Sequence, residues 1–254
     1  MSSAEFGPPS TSPSTAATAL LVDVGGVLLL PNAALLTPVV ARHGGVATEE
    51  EFLRAHYAAH NAAFPARGQL RDYYELLPRF AGVPAERLPE AVEDYRAVSR
   101  TRNMWHAPDA ASKAALAEFT AEGVRVAIVS QADGRIARML REAAMCQEGE
   151  GPGVTVDAVL DSAIVGYDKP DPRFFRAALD AVGVPCERAV HVGDTVPADV
   201  RGAQAADILA VHYDPYGDCD DPGDHEHVRT LAEVRAFLPA PVRTDPTYSS
   251  RAAG

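Results

Sequence analysis

Short apolar segments that end in a small or polar residue alternate with helical segments, and this alternation most constrains the fold. The apolar segments span residues 19–22, 124–129, 157–160, 189–192 and 208–212. Helical patterns span residues 108–122, 134–144 (with Asp133 as predicted N-cap), 172–182 and 197–206. Strands that alternate with helices of this length form a parallel sheet with helices on both faces. The sequence therefore predicts an α/β fold, a three-layer Rossmann-like parallel sheet.

Residues 33–107 have a different pattern, with apolar residues at helical spacing and no strand pattern. Thr48 and Glu51 form a capping-box pattern that predicts a helix to about His60. Similar spacing follows at residues 70–80 and 88–95. We therefore predict an all-helical cap inserted after the first strand, with the core formed by residues 18–32 and 108–238. The flanking residues 1–17 and 239–254 are predicted to be a disordered and a flexible tail.

Charge and hydropathy exclude several classes of protein. The chain has 23 Lys plus Arg against 35 Asp plus Glu, for a net charge of -12, so its surface repels nucleic acid and anionic lipid. No apolar run reaches the length of a membrane span, and no basic segment precedes an apolar one at the start. The three cysteines are widely spaced, as is typical of reduced thiols. We expect a cytoplasmic protein with a small-molecule partner; its oligomeric state stays open.

Four polar signals follow predicted strands or precede predicted helices. They are Asp23 in LLVDVGGVL, Ser130 in VAIVSQ, Lys169 in YDKPDP, and the pair Asp194 and Asp199 in HVGDTVPAD. In a parallel sheet such residues converge at one edge. Carboxylates with an open position suit Mg²⁺, and a lysine and a hydroxyl suit phosphate oxygens. A carboxylate beside Mg²⁺ and a lysine can attack phosphorus.

The order and spacing of these motifs, with the insert between the first two, resemble the haloacid dehalogenase-like hydrolase superfamily, of the phosphatase type with a helical cap. The resemblance covers about residues 18–238 and implies a small phosphorylated metabolite as substrate. It implies these roles: nucleophile, Asp23; phosphoryl binding, Ser130, Gln131 and Lys169; Mg²⁺ binding, Asp23, the Gly25 carbonyl oxygen and Asp194, with Asp199 in support.

One position departs from the family pattern. Many phosphatases of the family have an aspartate two residues after the nucleophile as general acid and base, and here that residue is Gly25. The Asp-x-Tyr pattern that is typical of the dehalogenase branch at this place is also absent. Two alternatives to phosphate hydrolysis therefore stay open, namely displacement at carbon and a catalytically impaired binding module.

Other polar groups admit a functional and an ordinary interpretation. His56 and His60 lie one helical turn apart, but without a third ligand we interpret them as surface or core residues. Trp105 and His106 are expected to pack the return from the insert. Four arginines are candidates for gripping an anionic substrate, or are solvated: Arg67, Arg71, Arg100 and Arg102. Residues 218–227 match neither a zinc nor a calcium motif, so we interpret them as a solvated acidic loop.

Overall fold

A computed structural model describes residues 17–64, 72–101 and 104–240 of the chain. Its strands are β1 (Ala19–Val22), β2 (Leu29–Pro31), β3 (Trp105–Pro108), β4 (Arg125–Ser130), β5 (Cys146–Glu148), β6 (Val154–Val156), β7 (Ala158–Asp161), β8 (Ala189–Gly193), β9 (Leu209–Tyr213) and β10 (Glu226–Val228). Six of them form one sheet in the order β10-β9-β8-β1-β4-β7, and every neighbouring pair in it is parallel. The predicted α/β fold class is confirmed.

The helices lie on both faces of this sheet and in the insert. They are α1 (Ala33–Ala41), α2 (Glu49–Ala63), α3 (Tyr73–Phe80), α4 (Leu88–Thr101), α5 (Ala110–Ala121), α6 (Ile136–Glu142), α7 (Ser162–Val165), α8 (Pro172–Val182) and α9 (Arg201–Gln204). A π-helical turn, Val196–Val200, leads into α9. Single 3₁₀ segments span Ala85–Arg87, Cys186–Arg188 and Leu231–Phe237. None of the described helices is long and apolar enough to span a bilayer.

The sheet is buried on both faces, which explains why β1 has apolar residues on both sides. In β1, Leu20 and Val22 pack on one face while Ala19 and Leu21 pack on the other. This period-2 alternation between two cores is the expected pattern for a parallel strand covered twice. Strand β1 lies between β8 and β4, so the loop after it leaves the centre of the sheet. Residues after β1 are thereby placed between the loops of both neighbours.

The insert has its own core between α1, α2, α3 and α4. Phe52, Leu77 and Tyr95 are fully buried there. Thr48 begins α2 through the predicted capping box, in which its side chain and that of Glu51 each bond the other's backbone. The connections to the sheet are β2 and β3, which pair antiparallel. Because the insert has its own core, its residues are held together as one unit beside the sheet.

The structure differs from the sequence-based expectations at several places. Asp133 is not a helix N-cap; it pairs with Arg135 instead, and α6 begins at Ile136. Strand β3 begins at Trp105, inside the segment expected to be all helical. Helix α1 lacks a strong sequence signal and was not predicted. The helix expected from Pro197 is a π-helical turn followed by α9.

The predicted tails fall mostly outside the described residues, namely within 1–16 and 241–254. Two residues of the predicted C-terminal tail are described. Pro239 accepts a hydrogen bond from Thr18 Oγ1 at 3.2 Å, and Ala240 accepts one from Arg188 at 3.1 Å. The chain therefore still contacts the core at Pro239 and Ala240, just beyond residue 238, the predicted end of the core.

Candidate active site

The carboxyl edge of the sheet borders a cavity of about 1110 Å³ between the sheet and the insert. Asp23 follows β1 and Ser130 ends β4. Gln131 comes next in the chain, and Lys169 precedes α8. The structure brings these four residues and Gly25 to the wall of one cavity. All lie where a parallel sheet gathers the ends of its strands.

Lys169 lies between two carboxylates. Its Nζ donates to Asp23 Oδ1 at 2.6 Å and to Asp199 Oδ1 at 2.6 Å, and all three side chains are buried. Burial alone would lower the pKa of Lys169, but the charges of Asp199 and Asp23 raise it above its usual value. The lysine is therefore held as an ammonium ion. A fixed positive charge beside Asp23 can bind an anion that reaches this carboxylate.

Asp199 uses both of its oxygen atoms within the protein. Oδ1 is bonded to Lys169 and, at 3.0 Å, to His191 Nε2, while Oδ2 accepts from the Thr195 backbone N–H at 3.1 Å and from the Thr195 hydroxyl. Burial raises the pKa of Asp199, but Lys169 and His191 lower it by more, so the pKa lies below its usual value. A carboxylate can accept about four hydrogen bonds, so these four use its full acceptor capacity. This geometry suits a group that orients Lys169 better than one that holds a metal.

His191 was not identified from the sequence, although a signal for it exists. It is fully buried in β8, a strand whose other residues are apolar or glycine. Its Nδ1 contacts the Leu21 carbonyl oxygen at 3.1 Å, and its Nε2 contacts Asp199. Burial lowers the pKa of His191. A polar residue at a buried position of a central strand indicates a buried partner, here Asp199.

Asp194 has one oxygen atom without a partner. Its side chain is fully buried and Oδ1 has no hydrogen-bond partner in the described part of the chain. One oxygen each of Asp23, Asp194 and Asp199 lie within 4.8 Å of one another. Burial raises the pKa of Asp23, more than Lys169 lowers it, and the charges of Asp199 and Asp194 add to the increase. Three carboxylates against one ammonium ion leave an excess of negative charge that a hard divalent cation fits.

Glycine allows the backbone after β1 to approach Asp194. Gly26 has a φ of +80°, and a Cβ there would lie 2.4 Å from Asp194 Oδ2. The neighbouring Gly25 differs, because a Cβ there would meet only the Trp105 ring, at 3.5 to 3.8 Å. The indole therefore lies over the position where the family pattern has an acid/base side chain. The sequence predicts only that Trp105 packs the return from the insert to the core.

The insert reaches the same loops through one face of α2. Tyr57 donates its hydroxyl hydrogen to the Gly26 carbonyl oxygen at 2.7 Å. Asn61 donates to the Asp194 carbonyl oxygen at 2.8 Å and accepts from the Val196 N–H at 2.9 Å. Residues at spacings of three and four lie on one helix face. Sequence reasoning missed these contacts, because α2 carries many other polar residues and nothing in its sequence distinguishes Tyr57 and Asn61 from them.

His60 lies on that face, one turn after His56. Its Nδ1 lies 2.8 Å from Asp194 Oδ2. Burial lowers the pKa of His60, but the charge of Asp194 raises it to above the usual value. His56 is buried and contacts the Tyr73 hydroxyl at 2.8 Å. The interpretation of both as surface or core residues fits His56, whereas His60 contacts a candidate site residue.

The remaining candidates are placed differently. Arg100 is exposed at the rim of the cavity, whereas Arg67, Arg71 and Arg102 lie outside the described residues. The side chain of His106 is likewise outside what the structure describes. Residues 218–227 lie beyond β9, at the β10 end of the sheet. They do not line the cavity.

Comparison with known proteins identifies the family of the chain. A family model described as haloacid dehalogenase-like hydrolase matches residues 17–207. A phosphoserine phosphatase from Thermus thermophilus is 35% identical over 177 residues, 70% of this chain and 67% of that protein. The haloacid dehalogenase-like hydrolase domain-containing protein 3 of Mus musculus is 33% identical over 180 residues, 65% of this chain and 68% of that protein.

Solved structures share the fold. The HAD-hydrolase YfnB from Bacillus subtilis, bound to magnesium, superposes with a TM-score of 0.58 at 16% identity. The match covers 88% of this chain and 99% of that one. At this identity the likeness concerns the arrangement of helices and strands alone.

Proposed function

Since the chain belongs to the haloacid dehalogenase-like hydrolases, we propose that it is a Mg²⁺-dependent phosphatase that cleaves a small phosphorylated metabolite through an aspartyl-phosphate on Asp23. The observation that carries the proposal is the placement of Asp23. Its carboxylate lies at the cavity wall, 2.6 Å from Lys169 Nζ and within 4.8 Å of an Asp194 carboxylate oxygen, and Asp194 Oδ1 has no partner among the described residues. A nucleophile, a fixed cation and an unused carboxylate oxygen are thus gathered in one place.

The metal would be held by Asp23, the Gly25 carbonyl oxygen and Asp194. The unpartnered Asp194 Oδ1 and the surplus of buried negative charge support this donor set. Asp199 is proposed as a positioning residue, because Lys169, His191 and Thr195 already occupy its oxygens. When bound, Mg²⁺ would supply a positive charge that neutralises phosphate oxygens and the charge developing on them.

In the first step, a carboxylate oxygen of Asp23 attacks phosphorus. The new O–P bond replaces the bond to the leaving alcohol or acid, which departs with the electron pair of that bond. Lys169, the Ser130 hydroxyl and the Gln131 side chain bind the phosphoryl oxygens from the cavity wall. In the second step, water attacks phosphorus and Asp23 is released with inorganic phosphate. The fixed position of Lys169 between Asp23 and Asp199 keeps its charge beside the phosphoryl group in both steps.

The glycine at position 25 determines which substrates suit this site. A positioned acid or base typically contributes about a hundred- to ten-thousand-fold to such a reaction. Gly25 has no side chain, and the Trp105 ring lies 3.5 Å from the place where its Cβ would be. Leaving groups that are stable without a proton, such as those of acyl phosphates and sugar 1-phosphates, therefore suit this enzyme. The second step is the same for all substrates, so we expect it to limit the rate.

The helical insert is proposed to act as the cap that closes the cavity and selects the substrate. Its support is the contact of Tyr57, His60 and Asn61 with the loops after β1 and β8. These hydrogen bonds close the space above Asp23 while the insert keeps its own core. Closure of this kind excludes water during transfer.

Hydrolysis of 4-nitrophenyl phosphate with Mg²⁺ or with EDTA tests the proposal. We expect Mg²⁺-dependent turnover in the wild type and none in Asp23→Asn, since the amide is a poor nucleophile of nearly the same shape. Asp180→Asn on the exposed face of α8 is the matched control and should keep full activity. Wild-type turnover in Asp23→Asn, full activity in EDTA, or halide release from 2-haloacids without phosphatase activity would each contradict the proposal.

A further inference from the structure

Three histidines and a cysteine meet at the β10 end of the sheet, away from the cavity. His212 lies in β9 and His227 in β10, and these two residues are register partners in the parallel pair. Cys219 and His225 come from the loop that joins the two strands. Residues 218–227 contain only three of the four groups, and β9 supplies the fourth, His212. This explains why spacing within residues 218–227 matched no metal motif.

The four side chains converge closely. One potential ligand atom of each lies within 4.8 Å of those of the other three. Cys219 Sγ is 3.7 Å from His225 Nε2. The ring centroid of His212 is 5.5 Å from that of His225 and 5.2 Å from that of His227, and the latter two are 4.5 Å apart. Tetrahedral zinc bonds place a sulfur and a nitrogen ligand about 3.6 Å apart, so this pair is already at bonding separation.

His212 points an unused nitrogen atom into the interior. The residue is only 3% exposed, and its Nδ1 has no hydrogen-bond partner among the described residues. Its Nε2 contacts the Asp194 carbonyl oxygen at 3.0 Å. A carbonyl oxygen only accepts, so Nε2 carries the hydrogen and Nδ1 presents a lone pair. Metal-bound histidines commonly donate their other N–H to a backbone carbonyl in this way.

We propose that His212, Cys219, His225 and His227 form a structural Zn²⁺ site. Three imidazole nitrogens and a thiolate sulfur give four ligands of the types that zinc binds, the number that a closed tetrahedral site needs. On binding, the Cys219 thiol loses its proton to solvent and its sulfur forms the bond to zinc, while the imidazoles bind as neutral ligands. Ligand atoms bound tetrahedrally to one zinc lie about 3.4 to 3.6 Å apart. The separations here are within 4.8 Å, so the widest has to shrink by at most roughly 1.4 Å.

The surroundings favour a cation and orient the ligands. Asp214 Oδ2 lies 3.7 Å from His227 Nδ1 and accepts the Cys219 backbone N–H at 3.1 Å. Its Oδ1 accepts the N–H groups of Gly217 and Asp218 at 2.9 and 3.1 Å, so one carboxylate folds the loop that carries the cysteine. Such outer contacts fix ligands before the metal arrives.

The site would join three parts of the molecule. It would tie the loop after β9 to β10 and, through His212, to the Asp194 carbonyl oxygen. The same loop contacts the insert, because Asp218 pairs with Arg54 of α2 at 2.6 Å. Zinc would thereby stabilise the edge of the sheet next to the loop that carries Asp194. The proposal depends on neither phosphatase activity nor Mg²⁺ binding.

Cobalt titration of the metal-free, reduced protein tests the site, because Co²⁺ reports its ligands by absorption. We expect one equivalent of Co²⁺ to give visible bands of tetrahedral intensity and a near-ultraviolet thiolate-to-cobalt band, both removed by one equivalent of Zn²⁺. Cys219→Ser should remove the thiolate band. Cys186→Ser, which alters a half-buried cysteine outside the cluster, should keep it. A thiolate band that persists in Cys219→Ser, or the lack of tetrahedral bands in the wild type, would overturn the proposal.

Binding at the carboxylate cavity has to be separated from binding at this cluster. Asp194→Asn should keep the thiolate band, whereas His227→Gln should weaken Zn²⁺ binding at least about tenfold in competition with a chromogenic chelator. A saturating excess of Zn²⁺ near a hundred times the dissociation constant should raise the melting temperature of the wild type by roughly 5 to 10 °C. The same addition should leave Cys219→Ser/His227→Gln nearly unchanged. An equal shift in that double variant would show that zinc acts elsewhere.

Discussion

The two walls of the cavity hold their polar groups by different means. On the sheet side, Lys169 is bonded to two buried carboxylates, and each charge depends on the others. On the insert side, Tyr57 and Asn61 bond to backbone groups of the sheet loops. A buried charge that loses its partner costs several kcal/mol, whereas a neutral hydrogen bond contributes only about 0.5–1.5 kcal/mol. Apart from the His60–Asp194 contact, the insert side is therefore held by the weaker bonds, as the proposed closing motion of the cap requires.

The largest effect is expected where the charged network is broken. Lys169→Met leaves Asp23 and Asp199 buried without a counter-ion, and we expect unfolding free energy to fall by about 3–5 kcal/mol. Turnover should fall at least about a hundredfold as well, because the fixed positive charge is lost. Urea unfolding and steady-state kinetics measure the two effects.

The other lysine of the sequence provides the control for this variant. Lys113→Met alters a half-buried residue of α5 and should change stability by less than about 0.5 kcal/mol. Adding Asp199→Asn to Lys169→Met should recover part of the lost stability and none of the activity. If Lys169→Met were as stable as wild type, the network would not hold the sheet side together.

The next largest effect is expected at Asp194, whose Oδ1 has no partner among the described residues. Asp194→Asn keeps the size of the side chain but removes the charge that we propose for Mg²⁺ binding. We expect the Mg²⁺ concentration for half-maximal activity to rise at least about tenfold, equivalent to about 1.4 kcal/mol. Activity titrated against Mg²⁺ in both proteins gives the comparison. An unchanged requirement would remove Asp194 from the metal site.

Sequence reasoning located candidate residues on the sheet side and missed those of the insert for a physical reason. Asp23, Ser130 and Asp194 were identified because a parallel sheet fixes where its strands end, so position along the chain determines position in space. Tyr57 and Asn61 reach the same loops only through packing of the insert, and their separations along the chain carry no trace of this contact. His191 and His212 lie between these cases, since both are polar residues inside strands that are otherwise apolar.

The insert side should give a smaller effect, with the fold left intact. Asn61→Ala removes two hydrogen bonds between α2 and the loop after β8 and leaves the Val196 N–H unpaired. Two neutral hydrogen bonds together contribute about 1–3 kcal/mol, so we expect kcat/KM to fall by roughly 5-fold, and at most about 150-fold. Arg54→Ala on the same helix breaks an exposed ion pair with Asp218 and a cation–π contact with Tyr216, and should cost less than about threefold. Equal effects in the two variants would mean that α2 does not hold the cavity closed.

The smallest effect is expected at the place where the two walls touch, at Gly25 and Trp105. If hydrolysis of the phospho-enzyme limits turnover, rapid-quench kinetics should show a burst of leaving group close to one per active site. Gly25→Asp adds the missing base and should shrink this burst. However, its Cβ would lie 3.5 Å from the indole, so the carboxylate has to pass Trp105 to reach the phosphoryl group.

We therefore expect Gly25→Asp alone to raise turnover less than about tenfold, well below the hundredfold or more typical of a positioned base. Gly25→Asp combined with Trp105→Leu should raise it further, because the smaller side chain leaves room for the carboxylate. Trp105→Leu alone is the matched control and should not change the burst. A burst that is absent from the wild type, with alkyl and acyl phosphates hydrolysed equally fast, would show that another group already supplies the acid and base.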